Sequence, residues 1–496
     1  LFGVEGYEVS VEAFLSQGLP AFDIVGLPDA AVKESRERVR AAIKNFDLDF
    51  PLRRITINLA PADTRKEGPI YDLPIMLAVL SASGQMAPPP PGAAFIGELS
   101  LRGELRSVTG VLPMALAAKR QGATELFLPV DNAAEATLCE GLTVYGAESA
   151  LDVIHHLNGD KKLAPTPPWT PSASTRTPLD FKDVKGQENV KRAFEVAAAG
   201  GHNILLIGPP GSGKSMLARR LPSILPSMSR GEALSATEIH SVAGALSKRE
   251  PLLTARPFRS PHHTISATGL SGGGPVPKPG EISLAHNGVL FLDELPEFDR
   301  RALEILRQPL EDGEITLTRV SGTVTYPAGF MLVCAMNPCR CGYHGHPTRP
   351  CSCSETAVKN YYGRISGPLL DRIDMQISVP SLTFEELAAK PAGDSSEVIR
   401  GRVEAARALA RKRFEGTGIE CNAQIPAPKV ATFCATDDRG AALMKSAFDR
   451  LQLTARSYDR ILRLARTIAD LAGSEAILPA HLAEAIQYRT ADRNQT

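Results

Sequence analysis

The sequence predicts an α/β protein of several domains that ends in a helical region. The chain has 496 residues, and at ~100–200 residues per domain we expect two to four domains. Short apolar runs separated by helical patterns are typical of parallel strands that are covered on both faces. From about Glu397 onward, apolar residues recur at helical spacing. The clearest series is Ile461, Leu464, Ala465, Ile468 and Leu471.

Composition excludes several classes of protein. Apolar residues make up 43% of the chain and charged residues 22%, which excludes a mainly disordered, collagen-like or membrane-embedded protein. Lys and Arg number 55, as do Asp and Glu, so a uniformly basic nucleic-acid coat is excluded, whereas a local basic patch is not. No apolar run approaches the ~18 residues of a membrane span, and the first residues do not resemble a signal peptide. We therefore predict a cytoplasmic location without membrane contact.

A proline-rich stretch marks the clearest domain boundary. Residues 164–178 carry five prolines and cannot bury a core, so they are predicted to be an extended linker. An N-terminal domain is predicted before it, at 1–163. A nucleotide-binding core at 179–380 and a helical C-terminal domain at 381–496 are predicted after it.

The N-terminal domain shows alternating strand and helix patterns. Residues 54–59 alternate between apolar and polar, as in a half-buried strand, and residues 125–129 form a second predicted strand. Residues 72–83 and 112–121 are predicted helices. These patterns predict an α/β or α+β domain and indicate no chemistry by themselves.

A phosphate-binding loop opens the nucleotide-binding core. The segment fits the pattern G-x-x-x-x-G-K-[ST] between a predicted strand and a predicted helix. It consists of Gly208, Pro209, Pro210, Gly211, Ser212, Gly213, Lys214 and Ser215. Its backbone N–H groups are expected to surround the phosphates of ATP, with Lys214 on the β- and γ-phosphates and Ser215 on Mg²⁺. The alternative is an ordinary glycine-rich turn.

Two carboxylates follow a second buried strand. Residues 289–292 are apolar, and Asp293 and Glu294 come directly after them, where open α/β sheets place ligands. We expect Asp293 to hold the Mg²⁺ shell and Glu294 to polarise the water that attacks the γ-phosphate. An apolar run followed by Asp-Glu is a weak signal alone, but downstream of a phosphate-binding loop it is strong.

Asn337 comes directly after a third predicted strand, residues 330–336. Taken alone, an Asn-Pro pair after a strand indicates a turn. Its order after the other two motifs favours an amide that orients the attacking water. Together the three motifs predict an Mg²⁺-dependent ATPase.

Further motifs resemble the AAA+ ATPases, specifically the magnesium-chelatase and ComM-like (YifB) group. The resemblance runs from Asp183 to about Arg489. It is carried by residues 208–215, 290–294, Asn337, 367–374 (GPLLDRID) and 454–458 (TARSY). The resemblance implies an AAA+ core with a parallel sheet, a C-terminal helical lid and a ring, expected to be a homo-hexamer.

The same resemblance assigns roles to two arginines. Arg372 matches the arginine finger, which reaches into the neighbouring subunit's site, although Arg364 is a nearby competitor and an ordinary salt bridge is the alternative. Such a finger is typically worth ~10³–10⁵ in rate. Arg456 matches the second sensor arginine, at the start of a predicted helix over 457–472.

Two insertions resemble those by which this group faces a central pore. One covers residues 256–264 and a glycine triplet at 272–274, and the other is a predicted hairpin over 315–325 with a Ser-Gly turn. The candidate DNA contacts are Arg259, His262, His263 and Arg319. A few basic side chains repeated around a ring axis are enough for a neutral chain to hold a phosphate backbone. The alternative is that Arg259 and Arg319 are solvated loop charges.

The N-terminal domain also resembles the ComM-like family and, through it, the Lon-protease fold. The matching residues are 18–29 (GLPAFDIVGLPD) and 66–69 (KEGP). Lon proteases use a Ser–Lys dyad, and the corresponding positions here are Ile70 and Leu112. Neither side chain can act as nucleophile or base. The resemblance therefore implies a Lon-like domain without protease activity, used for binding or assembly.

Four cysteines lie close together after Asn337. They are Cys339, Cys341, Cys351 and Cys353, with His344 and His346 between them. Four thiolates are a usual ligand set for structural Zn²⁺, although C-x-C spacing is tighter than the usual C-x₂₋₄-C. Free thiols, a disulfide, and replacement of one Cys by a His remain alternatives.

The resemblance implies a hexameric DNA motor that drives branch migration, a helicase activity that promotes integration of incoming DNA during natural transformation and homologous recombination. Its expected partners are branched, single- or double-stranded DNA and recombination proteins. One alternative is a magnesium-chelatase-like or protein-remodelling motor. Another is a module in which ATP controls assembly only, against which Glu294 and Arg372 argue.

Overall fold

The computed structural model describes residues 1–171, 179–274, 277–319, 322–388 and 393–490. The chain divides into two compact units. The first comprises Leu1–Ala173 with Thr237–Leu253, and the second comprises Ser174–Ala236 with Thr254–Thr496. The division falls within the predicted linker, of which residues 172–178 lie outside the described residues.

The first unit contains two three-stranded sheets and a short hairpin. Its strands are β1 (Ser10–Ser16), β2 (Ala21–Val25), β3 (Arg54–Ala60), β4 (Ala93–Phe95), β5 (Glu98–Leu99), β6 (Leu105–Arg106), β7 (Glu125–Pro129) and β8 (Thr143–Ala147). Its helices are α1 (Ala30–Asn45), α2 (Asp72–Ala82), α3 (Val111–Arg120), α4 (Val130–Ala136) and α5 (Ala150–Asn158). In one sheet β3 is central, antiparallel to β1 and parallel to β2. The other sheet is parallel, in the order β4-β7-β8.

The elements predicted for this unit are confirmed to within one or two residues. Strand β3 alternates as its sequence predicts, with Ile55, Ile57 and Leu59 completely buried. The first part of the predicted linker is not fully extended away from the unit. The Thr166 N–H donates to the Val144 carbonyl at 2.7 Å, and the Trp169 N–H donates to the Thr137 hydroxyl at 3.1 Å.

Residues 237–253 belong to the first unit, although the sequence analysis placed them in the nucleotide-binding core. The Ser241 hydroxyl donates to Glu135, and the Ser241 carbonyl accepts from the Gly110 N–H at 3.1 Å. The Lys248 ammonium lies 2.6 Å from a carboxylate oxygen of Asp131. Sequence periodicity cannot show that the end of one helix packs with helices more than 100 residues earlier.

The second unit is built on a five-stranded parallel sheet with α-helices around it. Its helices are α6 (Glu188–Gly200), α7 (Lys214–Ala218), α8 (Arg230–Ala243, whose end lies in the first unit), α9 (Ala267–Ser271), α10 (Glu281–Leu284), α11 (Arg300–Ile305), α12 (Pro309–Asp312), α13 (Glu355–Tyr362), α14 (Gly367–Leu370), α15 (Phe384–Ala388), α16 (Ser396–Arg413), α17 (Ala427–Phe433), α18 (Asp438–Leu451), α19 (Ala455–Leu471) and α20 (Pro479–Thr490). Its strands are β9 (Ile204–Ile207), β10 (Phe258–Arg259), β11 (Gly272–Gly273), β12 (Lys278–Pro279), β13 (Val289–Leu292), β14 (Glu314–Arg319), β15 (Gly322–Pro327), β16 (Met331–Met336) and β17 (Met375–Ser378).

The order of the main sheet brings the predicted motifs to one edge. The strands run β10-β13-β16-β9-β17, and every residue of β9, β13 and β16 is buried, as their continuous apolar sequences predict. The phosphate-binding loop, the carboxylate pair and Asn337 each follow the carboxyl end of one of these three adjacent strands. Parallel strands place those ends on the same side of the sheet, where such folds bind ligands.

The helical region at the end of the chain is also confirmed. Helix α19 buries Ile461, Leu464, Ala465 and Ile468 on one face. The Thr454 hydroxyl caps its first turn by accepting from the Ser457 N–H. None of the helices in the described ranges has both the length and the apolar composition needed to cross a bilayer.

Candidate nucleotide-binding site

The phosphate-binding loop has a backbone that requires glycine. A Cβ added to Gly208 would lie 2.2 Å from the Val379 carbonyl oxygen, which leaves no room for a side chain. Gly213 has φ +88° and stands immediately before helix α7. The first N–H groups of a helix have no intrahelical partner and favour negative charge. The loop therefore presents backbone donors to an anion at the carboxyl end of β9.

Lys214 is buried and already connects two of the predicted motifs. Its ammonium donates to the carbonyls of Gly208 at 2.7 Å and Pro209 at 2.9 Å, and to Oδ1 of Asn337 at 3.1 Å. Burial lowers the pKa of Lys214, and the charges of Asp293 and Glu294 act in the opposite direction. The ammonium therefore lies between the phosphate-binding loop and Asn337.

Ser215 and Asp293 meet at the same edge. The Ser215 hydroxyl donates to Oδ2 of Asp293 at 2.5 Å, and Oδ1 of Asp293 accepts from the Glu294 N–H at 2.9 Å. A hydroxyl beside a carboxylate supplies the hard oxygen ligands that Mg²⁺ prefers. The donor set therefore fits the predicted metal position. The structure brings the adjacent residues Lys214 and Ser215 into contact with Asn337 and Asp293, which are 123 and 78 residues further along the chain.

Glu294 stands in an unusual backbone conformation beside a histidine. Its φ and ψ are +53° and +47°, in the left-handed region that costs a non-glycine residue roughly 1–3 kcal/mol. Such strain is concentrated at functional sites. Its carboxylate Oε2 lies 3.2 Å from Nδ1 of His263. His263, a candidate DNA contact in the sequence analysis, therefore lies against the predicted catalytic carboxylate.

The two candidate arginines differ in burial and in their partners. Arg372 is buried, donates to the Pro368 carbonyl at 2.6 Å, and forms an ion pair with Glu311 of its own chain. Arg456 is 65% exposed and lies 4.0 Å from the carboxylate of Asp371, the residue before Arg372. The competitor Arg364 is exposed and binds Glu297 at 2.9 Å.

The other candidate DNA contacts differ in solvent exposure and in whether their charge is paired within the chain. Arg259 donates two hydrogen bonds of 2.7 Å to Glu281, so its charge is paired within the chain. The predicted hairpin is confirmed as β14 and β15, and exposed Arg319 ends β14. Its turn residue Ser321 lies outside the described residues. His262 is exposed, and its ring packs against that of His263 with centroids 4.1 Å apart and the ring planes tilted by 34°.

The four cysteines converge. All four sulfur atoms lie within 4.8 Å of one another. The Sγ separations are 3.3 Å for Cys339 and Cys341, 3.5 Å for Cys341 and Cys351, and 3.7 Å for Cys339 and Cys351. A tetrahedral zinc site with Zn–S bonds of ~2.3 Å needs sulfur separations of about 3.8 Å, whereas a disulfide needs ~2.0 Å. The arrangement fits a four-thiolate metal site.

Neither histidine between these cysteines belongs to the sulfur cluster, and His346 has other hydrogen-bond partners. Nδ1 of His346 accepts from the Thr348 and Arg349 N–H groups, and its Nε2 lies 3.3 Å from the Ser381 hydroxyl. The cluster of possible metal ligands among the described residues at this loop contains the four cysteines and neither histidine.

Sequence reasoning missed several residues that support the site. The Gln187 amide donates to the Ser212 carbonyl at 2.8 Å and so braces the phosphate-binding loop. Glu311 and Glu281 pair with candidate arginines. Gln187 carries no motif, and the two glutamates are 61 and 22 residues from their partners, so only the folded chain reveals them.

Three family profiles match successive parts of the chain. The profile described as "Subunit ChlI of Mg-chelatase" matches residues 11–132. The profile "Magnesium chelatase, subunit ChlI" matches residues 180–387, and "Magnesium chelatase, subunit ChlI C-terminal" matches residues 393–489.

Two relatives match over nearly the whole chain. Competence protein ComM of Haemophilus influenzae is 44% identical over 495 residues, which cover 98% of this chain and 95% of that protein. Uncharacterized protein YifB of Escherichia coli is 44% identical over 495 residues, 99% of this chain and 96% of that protein. Lon protease 2 of Bacillus subtilis is 28% identical over 148 residues, 28% of this chain and 26% of that protein.

Proposed function

This chain belongs to the ComM/YifB-like family of magnesium-chelatase-type AAA+ proteins, and from that premise we propose that it is a ring-forming ATPase that moves on branched DNA. The family implies ATP and Mg²⁺. One observation carries the ATPase proposal. Lys214, Ser215, Asp293 and Asn337 form one chain of contacts at the carboxyl ends of adjacent parallel strands.

Each residue of this constellation has a defined task. The loop amides and Lys214 bind the phosphates, and Ser215 and Asp293 would hold Mg²⁺, which would supply charge neutralisation at the phosphate oxygens. Glu294 accepts a proton from the attacking water, and Asn337 orients that water. Positioning and charge stabilisation supply most of the catalysis of phosphoryl transfer.

The ring proposal rests on the arginines. Arg456 lies 4.0 Å from the carboxylate of Asp371, the residue that precedes Arg372 in the sequence. In a ring, both could face the nucleotide of the neighbouring subunit. For that, the Arg372 guanidinium exchanges Glu311 for a phosphoryl group. We therefore propose a homo-hexamer whose sites are completed by the adjacent subunit.

The DNA proposal is supported by the named relative and by the hairpin. A protein named for competence is 44% identical over 98% of this chain, so we propose that this chain promotes integration of DNA in natural transformation and recombination by branch migration. The exposed Arg319 at the end of β14 offers a cation in each subunit to a phosphate backbone.

The cysteine cluster is proposed to hold a structural Zn²⁺. Its four sulfur atoms have nearly the separations that tetrahedral coordination requires. Gly342 of the same loop packs on the phosphate-binding loop, since a Cβ there would lie 2.5 Å from Cδ of Pro210. The metal would thus stabilise a loop that supports both Asn337 and the nucleotide site.

Nucleotide binding and hydrolysis test the proposal. We expect Lys214→Ala to weaken ATP binding by about tenfold or more, because charge-assisted hydrogen bonds are worth roughly 1.5–3 kcal/mol each. Glu294→Gln should bind ATP as tightly as the unmodified chain and hydrolyse almost none. ATP affinity and steady-state hydrolysis are measured in parallel, with the exposed Lys182→Ala as the matched control. Equal hydrolysis by all four proteins would contradict the assignment.

A magnesium-chelatase-like or protein-remodelling motor is the second candidate, because all three matching family profiles are described by a magnesium-chelatase subunit. Both candidates hydrolyse ATP. Binding to forked DNA that weakens steeply with salt supports the DNA motor, whereas hydrolysis without DNA binding favours the second candidate.

A further inference from the structure

Arg372 stands at the opposite edge of the main sheet from the nucleotide site of its own chain. It comes three residues before β17, whose first residue Met375 pairs in parallel with Ile204, the first residue of β9. The phosphate-binding loop follows the other end of β9, which is about 13 Å long at ~3.3 Å per residue. The contacts that hold Arg372 in place therefore belong to the amino edge of the sheet, away from that loop.

One residue at this edge joins three strands. Asn203 comes directly before β9, its Nδ2 donates to the Arg372 carbonyl at 3.1 Å, and its Oδ1 accepts from the Leu332 N–H of β16 at 2.8 Å. Its backbone N–H donates to Oδ2 of Asp374 at 2.9 Å. Its carbonyl accepts from the N–H groups of Asp374 and Met375, each at 3.0 Å. Every polar group of Asn203 is thus engaged, mainly with the segment that begins at Arg372.

The C-terminal helices hold the same segment from another side. The Arg489 guanidinium at the end of α20 donates to the Ile373 carbonyl at 2.5 Å. Arg460 of α19 lies 3.4 Å from Oδ1 of the buried Asp374. A buried carboxylate is stable only when it is paired and hydrogen-bonded, so these partners fix Asp374 in place. The backbone that carries Arg372 is therefore held by both the sheet and the helices.

We propose that Asn203 is a positioning residue for Arg372, which it holds so that the guanidinium enters the nucleotide site of the neighbouring subunit. The proposal rests on the proposed function, since it deepens the role of the same arginine. A guanidinium assists phosphoryl transfer only when it meets the transferring group in the right geometry, and a misplacement of about 1 Å can cost roughly 10²-fold in rate. Asn203 acts through the Arg372 backbone, because the phosphate-binding loop of its own chain lies at the other end of β9.

Two substitutions of Asn203 separate its bond to Arg372 from its bond to β16. Asn203→Asp keeps an oxygen that accepts from the Leu332 N–H but cannot donate to the Arg372 carbonyl, and Asn203→Ala removes both bonds. The matched control is Asn132→Asp in the first unit, because the Asn132 amide donates to the Val108 carbonyl and accepts from the Val108 N–H, each at 2.9 Å. The kcat and KM for ATP are measured for each variant, together with the melting temperature and ATP affinity.

We expect Asn203→Asp and Asn203→Ala to lower kcat by about tenfold or more with KM and ATP affinity nearly unchanged, because the nucleotide site of the same chain stays intact. Each variant is then mixed with Lys214→Ala subunits, which have a defective phosphate-binding loop and an intact arginine. These subunits should restore hydrolysis to Asn203→Asp as they do to Arg372→Ala, since they supply their arginine to the neighbouring site. Damage to β9 would instead lie in the chain that binds ATP, where no neighbour could repair it.

An unchanged kcat in both Asn203 variants contradicts the positioning role. A lost kcat that Lys214→Ala subunits restore for Arg372→Ala but not for Asn203→Asp contradicts it as well. Full hydrolysis by Arg372→Ala, or no restoration of that variant, contradicts the shared site of the proposed function and with it the role of Asn203. Asn132→Asp should lower the melting temperature and keep the kcat of the unmodified chain.

Discussion

At the residue scale, Lys214 shows how contacts within the chain hold the phosphate-binding loop together. A buried ammonium without partners is costly, and the chain supplies two carbonyls and the Asn337 amide oxygen as acceptors. The phosphate-binding motif predicts Lys214 from the sequence. Its bond to Asn337 is not predictable in that way, because it depends on β9 and β16 being neighbours. We therefore expect the phosphate oxygens of ATP to take the place of the present acceptors of Lys214.

His286 gives a pH-dependent prediction at the same scale. Burial lowers its pKa from the ordinary 6.5 to about 4, although the charge of Glu232 acts in the opposite direction. Nδ1 accepts from the Gly329 N–H at 3.0 Å, and Nε2 lies 3.1 Å from the Ser235 hydroxyl, so the neutral ring fits both partners. Because the folded pKa is lowered, the unfolded chain binds more protons between pH 6.5 and 4.

Stability is therefore expected to fall as pH drops through that window, by up to roughly 3 kcal/mol from this residue. His286→Gln preserves a donor and an acceptor without a titrating ring. Chemical denaturation at pH 7, 6, 5 and 4 should show a smaller loss of unfolding free energy for this variant. Identical losses in both proteins would mean that His286 is protonated as readily folded as unfolded.

At the element scale, the sequence predicts the long or strongly patterned segments well. Strands β3, β7, β9, β13 and β16, helices α2, α3 and α19, and the β14–β15 hairpin are found where periodicity or an apolar run indicates them. Strand β10 has two residues and no pattern of its own, yet its register places His263 at Glu294. Residues 237–253 include the end of helix α8 and the loop after it, and long-range bonds to Glu135 and Asp131 decide which unit they join.

The cysteine loop gives a prediction for metal content. The purified chain is expected to contain about one zinc per subunit, because four thiolates form a closed structural site. Cys339→Ser with Cys351→Ser should lose the metal and lower both the melting temperature and ATP affinity. Elemental analysis and calorimetry measure these effects.

The buried Cys434 provides a matched control for that pair, since it lies outside the cluster. Cys434→Ser should retain the metal. The site would be contradicted if the unmodified protein, purified under reducing conditions without chelator, contained as little zinc as the Cys339→Ser, Cys351→Ser variant.

At the scale of the whole molecule, the sequence defines the ATPase fold better than it defines the substrate on which the ATPase acts. The nucleotide motifs, the sheet order and the family agree on an AAA+ core with a helical lid, preceded by a Lon-like domain. The ring is a proposal, because it requires Arg372 to contact the nucleotide of a neighbouring subunit, whereas Arg372 forms an ion pair with Glu311 of its own chain. The DNA task rests on a relative's name and on exposed cations such as Arg319, since the chain's net charge is zero. The cytoplasmic location stays a prediction.

ATP-dependent movement of a labelled four-way DNA junction is the most direct test of the central claim. The account predicts that the unmodified protein moves the junction with ATP, at a rate that falls as salt rises. Lys214→Ala, Glu294→Gln and Arg372→Ala should each abolish movement, while Lys182→Ala should not. Vigorous ATP hydrolysis with a stationary junction, at low and high salt alike, would contradict a branch-migration motor.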